Sequence, residues 1–324
     1  MMKCSGIALL LILLLLPLSI SAMAPPCIRS KKITSSSNLV ISYVESHLDD
    51  ADNNNEPVTI LIHGLDSSSH TWRKVQQNLS TPSIAIDCRG CGHSDLGHPD
   101  EFGAEGLIAD IKCIVDSHPL LQKKRFVLVG HSMGGRIAMC YAAKHPEDIS
   151  ALVIEDMDIK RRSVTNNFIP NFDEAKAVDF DRLHPNLDSL KKNLRDIGYP
   201  SDMLEKWIRE GRVYEHGSDG QQYWSDVNPA FRALCYRKIF DSDSGYTCWN
   251  AIANSGITKV YLMVAGIGTV CDQQSINDMV ACMPSLSVKT YDEGYHSIHG
   301  SVTEEFLHDL REIINDVKVA QCKL

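Results

Sequence analysis

Apolar residues along this chain keep two rhythms. Val58 to Ile62, Ser83 to Ile86, Arg125 to Val129, Ala151 to Ile154, Val260 to Val264 and Leu286 to Thr290 are short runs that predict strands. A strand covered on both faces needs such a run, whereas a half-buried strand alternates. Asn38 to Val44 alternates and predicts the half-buried kind. Gly103 to Ser117, Arg136 to Lys144, Ser275 to Met283 and Val302 to Ile314 instead space their apolar residues as one face of a helix. Strands alternating with helices predict an α/β fold, a mostly parallel central sheet with helices on both faces.

One segment breaks the alternation. From Asp158 to Gly256 no buried strand is evident, while Leu190 to Ile197, Met203 to Arg212 and Pro229 to Phe240 look helical and Gly217 to Gly220 reads as a turn. Such an insertion predicts a mainly helical lid, which shapes a pocket and excludes water. Its Trp207, Tyr214, Tyr223, Trp224 and Phe231 suit packing of the lid onto the core first, and the binding of acyl chains second. The expected division is a core over 38–157 and 257–324 with a lid over 158–256.

Composition adds most at the N-terminus. Met1-Met2-Lys3 precedes an apolar run, Ile7 to Leu16, that ends at Pro17 and a stretch of small residues. The run is shorter than the ~20 apolar residues of a membrane span. Residues 1–24 therefore read as a cleaved secretory signal, with no stable membrane insertion expected. Residues 25–37 follow as a presequence or linker, expected to be disordered, and Pro25 to Tyr43 holds no acidic residue. That acid-free, basic and hydroxyl-rich composition is typical of transit peptides. The join Ser21 to Pro25 also resembles the bipartite plastid presequences of algae with secondary plastids, with Met23 where those carry an aromatic residue. Secretion, a lumenal location and a plastid stay open as destinations.

The net charge of −9, with no basic block beyond Arg29 to Lys32, argues against a nucleic-acid partner. Among 11 cysteines, Cys88 and Cys91 have metal-ligand spacing but no second pair, so no metal is expected. Loss of Cys4 with the signal leaves an even number, which permits disulfides without assigning them. Cys113 and Cys140 fall in apolar helical patterns and read as buried thiols.

The candidate chemistry centres on Ser132, in Gly130-His131-Ser132-Met133-Gly134-Gly135, between a predicted strand and a predicted helix. A serine on so sharp a turn stands clear of the sheet, beside the positive end of the following helix. Its hydroxyl needs a base, an acid to orient that base, and donors for an oxyanion. His296, in Asp292-Glu293-Gly294-Tyr295-His296 after a predicted strand, is the candidate base among 13 histidines. His299 competes but lacks the preceding glycine turn, and His131 reads as structural because neighbours on a sharp turn point apart. For the acid, Asp156 ends the strand after the serine helix, whereas Asp272 looks like a helix cap; Glu155 is a third candidate. His63-Gly64-Leu65 closes another strand, so the backbone N–H groups of Leu65 and Met133 are the candidate oxyanion donors.

His63-Gly64, Asp87-x-Arg89-Gly90-x-Gly92-x-Ser94, the Gly130 to Gly135 run and Gly294-x-His296 occur in that order. Together they resemble the α/β-hydrolase superfamily over roughly Asn38 to Asp316, and most closely the small acyl esterases of the abhydrolase-domain-eleven group. That resemblance implies a serine hydrolase with a Ser-His-Asp triad, cleaving a small-molecule ester or thioester without a cofactor. In that group the acid follows the strand after the nucleophile helix, which matches Asp156. Two other readings share the triad: a cofactor-free haloperoxidase-type or C–C bond hydrolase, and a slow-turnover ligand receptor.

Overall fold

The computed structural model describes residues 28–48, 56–163, 169–217 and 222–321. The signal reading of 1–24 lies outside the described residues. Along the chain the strands are β1 (Arg29–Thr34), β2 (Val40–Ser46), β3 (Thr59–Ile62), β4 (Ser83–Ile86), β5 (Phe126–His131), β6 (Ile149–Glu155), β7 (Leu183–His184), β8 (Val213–His216), β9 (Gln222–Ser225), β10 (Val260–Ile267) and β11 (Ser287–Tyr295). The helices are α1 (Arg73–Asn78), α2 (Ala104–Ser117), α3 (Met133–Lys144), α4 (Glu174–Val178), α5 (Leu187–Ile197), α6 (Ser201–Arg209), α7 (Pro229–Cys235), α8 (Ser244–Ala253), α9 (Gln273–Cys282), α10 (Ile298–Ser301) and α11 (Thr303–Gln321).

The apolar runs become the inner strands of an eight-stranded sheet, ordered β1-β2-β4-β3-β5-β6-β10-β11. Pairing is parallel from β4 through β11 and antiparallel at β1-β2 and β2-β4. Side chains alternate across each strand, so β3 sends Ile60 and Ile62 to one face and Leu61 to the other. The first face packs on α2, α3, α8 and α9, the second on α1 and α11. Two buried faces are why these strands carry no alternation to read.

Two expectations need correction. Residues 29–34 are not a disordered linker: β1 pairs with β2 in full register, Arg29 opposite Glu45 through Thr34 opposite Val40. As an edge strand it buries part of Ile33 alone, so its composition stays basic and polar. The lid is also less purely helical than its sequence implies. It carries a three-stranded antiparallel sheet, β7-β9-β8, whose strands are too short and too polar to stand out. Its last helix, α8, packs against α3 and buries Trp249 and Ile252 in the main core. Physically, the lid ends before α8.

The glycines beside Ser132 set how closely α3 approaches the sheet. A Cβ on Gly134 would lie 2.4 Å from the Ile62 carbonyl oxygen and 2.5 Å from that of His63. Strand backbone cannot swing aside, so Gly134→Ala must push α3 outward. The expected loss is about 1–3 kcal/mol, read as a drop in melting temperature of roughly 1.5–2 °C per kcal/mol in a chain of this size. Gly103→Ala, whose added methyl meets nothing within 4 Å, is expected to melt like the parent protein.

Candidate active site

Four strand ends converge at the carboxyl edge of the sheet, where open α/β sheets bind their ligands. β3 delivers His63 to Asp66, β5 delivers Ser132, β6 delivers Glu155 and Asp156, and β11 delivers His296. Ser132 sits at φ 53° and ψ −121° between β5 and α3. Asp66 and Asp156 also hold positive φ, at 51° and 47°. Such conformations cost about 1–3 kcal/mol each and persist where the surroundings enforce them. Here β5 and α3 are buried on both sides of the turn, and the Ser132 N–H donates to the Glu155 carbonyl at 2.8 Å.

The structure brings Ser132, His296 and Asp156 into one hydrogen-bonded line. Ser132 Oγ lies 2.9 Å from His296 Nε2, and His296 Nδ1 lies 2.6 Å from Asp156 Oδ2. Asp156 accepts only, so Nδ1 carries the proton and Nε2 is free to accept from the serine hydroxyl. Asp156 is fully buried, yet three more donors reach it: the Ala265 N–H at 3.0 Å, the Thr269 hydroxyl at 2.6 Å and the Val270 N–H at 3.1 Å. Burial would raise its carboxyl, but hydrogen bonds from His296, Thr269 and Ala265 outweigh that and hold it below the ordinary value.

The rival candidates are engaged elsewhere. Asp272 caps α9 through the Ser275 N–H at 3.1 Å and pairs with Lys160 at 2.9 Å. Glu155 points to the opposite face from Asp156 and forms a second buried pair with His299. It accepts from the His299 backbone N–H and from Nδ1, both at 2.9 Å. Thr71 Oγ1 reaches His299 Nε2 at 2.7 Å, and Trp72 stacks on the ring at 4.1 Å. Burial would raise Glu155, but the charge and hydrogen bonds of His299, with His131, lower it. His131, read from the sequence as structural, also touches the site. Its Nε2–H donates to the His296 carbonyl at 3.0 Å, anchoring the loop that carries His296.

Leu65 and Met133 flank the serine. Leu65 lines the cavity beside Ser132, and a Cβ on the preceding Gly64 would lie only 3.0 Å from Ser132 Cβ. Met133 opens α3, where helix geometry leaves its N–H without an intrahelical acceptor.

His63 makes this loop sensitive to acid. Its buried ring donates from Nδ1 to the Gly64 carbonyl at 2.7 Å and accepts at Nε2 from the Cys88 N–H at 3.1 Å. A proton on Nε2 would set two donors against each other. Burial lowers His63 from 6.5 to about 4, and lowers His131 to about 3. Between those values the unfolded chain binds protons that the native state refuses, so stability falls as pH drops from 6.5 toward 4. The melting temperature is expected to decline across that window, and less steeply in His63→Gln. Equal slopes would contradict this assignment.

Two spaces meet at Leu65, His131 and His296, and the smaller one reaches Ser132. A cavity of about 310 Å³ is walled by Met157, Tyr236, Phe240 and Val270, with Arg162 and Arg232 at its side. A groove of about 920 Å³ runs from Leu65 and His296 along α6 past Trp207. Both arginines are matched, Arg162 by Asp158 at 2.7 Å and Arg232 by Asp66 through two-pronged contacts. Tyr199 also donates to Asp66 at 2.7 Å, which ties the lid to the Leu65 loop. None of the five lid aromatics singled out from sequence lines the smaller cavity; Phe231 packs on Phe102, and Trp207 on Tyr199. Tyr236, Phe240, Thr269, Asp66 and Arg232 were not legible beforehand. Thr269 lies in the β10–α9 loop, which carries no motif, and Asp66 and Arg232 are 166 residues apart.

A family profile for the alpha/beta hydrolase fold matches residues 57–301. The chain is 36% identical over 102 residues to Epoxide hydrolase 4 of Mus musculus, covering 31% of this chain and 28% of that protein. It is 29% identical over 177 residues to Ethanol acetyltransferase 1 of Kluyveromyces marxianus, covering 50% and 47% respectively. The matched regions thus span less than half the length of these relatives. Two solved structures superpose over 89% of this chain and 99% of their own. They are an E-2-(acetamidomethylene)succinate hydrolase, at TM-score 0.65 and 20% identity, and a thioesterase domain from a curacin biosynthetic pathway, at 0.64 and 18%. At such identities the likeness is one of fold. The profile spans the strand ends that carry His63, Ser132, Asp156 and His296, and on that match the chain belongs to the α/β-hydrolase family.

Proposed function

We propose that this chain is a serine hydrolase that cleaves a carboxylic ester or thioester of a small molecule through an acyl-enzyme on Ser132. The observation that carries this reading is the line from Ser132 Oγ to His296 Nε2, 2.9 Å, and from His296 Nδ1 to Asp156 Oδ2, 2.6 Å. In the proposed sequence Ser132 Oγ attacks the carbonyl carbon as its proton passes to His296 Nε2. The N–H groups of Leu65 and Met133 take the oxyanion, each worth about 2.7–4 kcal/mol. Collapse breaks the C–O or C–S bond, and His296 gives its proton to the leaving group. His296 then deprotonates a water that attacks the acyl carbon and frees Ser132. Asp156 stays ionised throughout and steadies the imidazolium. No step calls for a metal or cofactor.

The apolar walls of the 310 Å³ cavity suit the acyl part, and the larger groove suits the leaving group. Kinship with the abhydrolase-domain-eleven acyl esterases is part of the same proposal, supported by the acid's place after β6. Secretory entry, with a secreted, lumenal or plastid destination, also remains a proposal from the N-terminal residues.

The test is labelling with an alkyl fluorophosphonate followed by turnover of p-nitrophenyl esters of increasing chain length. The expected result is a single adduct on the Ser132 peptide and steady ester hydrolysis. Labelling without ester or thioester turnover would redirect the assignment to the C–C hydrolase or haloperoxidase reading. Tight ligand binding with almost no turnover would favour a receptor.

A further inference from the structure

The helix that follows Ser132 carries a second chemical feature on its far side. Cys140, two turns along α3, is almost wholly buried, and across the α3–α8 contact it meets Cys248. Their sulfurs lie 2.6 Å apart, with 108 residues between them in the chain. Non-bonded heavy atoms rest at about 3.5–4.0 Å, so two separate thiols do not sit comfortably at this distance. The backbones thus already hold the side chains close to bonding position. We propose that Cys140 and Cys248 form a disulfide that staples α8, where the chain returns from the lid, to α3.

Two further observations bear on how the bond forms. Cys248 is partly exposed, so an oxidant reaches it from solvent. Arg136, one turn before Cys140 on α3, is fully buried, and its Nε and Nη1 have no hydrogen-bond partner among the described residues. A guanidinium with open donors beside two sulfurs favours a thiolate over a thiol. The hydrogen bond from Cys140, and after it the Arg136 charge, lower the Cys248 thiol against the effect of burial.

The chemistry balances with a disulfide oxidant such as oxidised glutathione. The Cys248 thiolate attacks one sulfur of the oxidant, forming a mixed disulfide and releasing one glutathione thiolate. Cys140 loses its proton and attacks the Cys248 sulfur, releasing the second. Two protein thiols are oxidised to one disulfide, and one small disulfide is reduced to two thiols. The loop closed in this way contains Asp156 and the whole lid. The bond therefore anchors the segment that forms much of the cavity wall, independently of what the site hydrolyses.

The test uses the folded protein equilibrated with oxidised glutathione, then denatured and alkylated without reductant. Peptide mass spectrometry is expected to show a linked Cys140–Cys248 pair with neither residue alkylated. Alkylation of both, or linkage of either to another cysteine, overturns the proposal. A thermal melt supplies the second readout. Reductant is expected to lower the melting temperature by roughly 5–10 °C. In Cys248→Ser that response is expected to vanish, and in Cys282→Ser to persist. A reductant response that survives Cys248→Ser counts against the assignment.

Discussion

Replacing Ser132 with alanine is expected to remove the fluorophosphonate adduct and to lower kcat for any ester substrate by about 10⁶-fold, as loss of the nucleophile does in characterised triad hydrolases. The expectation is sharp because one atom is removed. Alanine keeps the β-carbon and the φ of 53°, so β5, α3 and the Leu65 and Met133 N–H groups stay where they are. What is lost is the 2.9 Å contact to His296 Nε2 and the proposed acyl attachment point. Some rate above the uncatalysed reaction is expected to survive through the oxyanion donors alone. Binding of the product acid is expected to change little, which separates a dead nucleophile from a collapsed pocket. Retention of a tenth or more of the parent kcat would sink the Ser132 assignment.

Asp156→Asn is the second large effect, a loss of about 10⁴-fold in kcat. Asp156 accepts from four donors: His296 Nδ1 and the Val270 N–H at Oδ2, the Ala265 N–H and the Thr269 hydroxyl at Oδ1. An amide replaces one of those oxygens with a donor. Turned toward His296, it selects the tautomer with its proton on Nε2, which cannot accept from Ser132, and it opposes the Val270 N–H. Turned away, it opposes the Ala265 N–H. Every orientation therefore sets donor against donor, and a lower melting temperature is expected alongside the lost activity. Asp272→Asn is the discriminating control. It loosens the cap of α9 and the Lys160 pair and is expected to leave kcat within about twofold, since surface pairs are worth little. If instead Asp272→Asn silences the enzyme and Asp156→Asn does not, the acid has been misassigned.

The choice between Asp156 and Glu155 shows where reading along the chain stops. Glu155 and Asp156 are neighbours, and a sequence cannot tell which turns toward the histidine. Asp156 leaves the strand at φ 47°, sending its carboxylate to His296, while Glu155 stays in register and meets His299 on the other face. That left-handed step needs Ala265, Thr269 and Val270 to hold it, and all lie more than 100 residues away. In the same way, Asp66 and Arg232 have no periodicity or motif linking them. Their pairing exists only because the lid folds back over the β3 loop.

What the amino-acid order determines by itself is what depends on near neighbours. Unbroken apolar runs make the inner strands, Gly130 and Gly134 permit the turn at Ser132, and Gly294 stands two residues before His296. Those are short-range consequences of burial and sterics. Polar edge elements escape such reading: β1 and the lid strands form because a partner strand is present, not because their own residues demand it. The tertiary structure alone decides which acid meets His296, the buried Glu155–His299 pair, the cavity walls at Tyr236 and Phe240, and the meeting of Cys140 with Cys248. Each is a contact between groups far apart in the chain, and its free energy exists only once both have been packed against the same sheet.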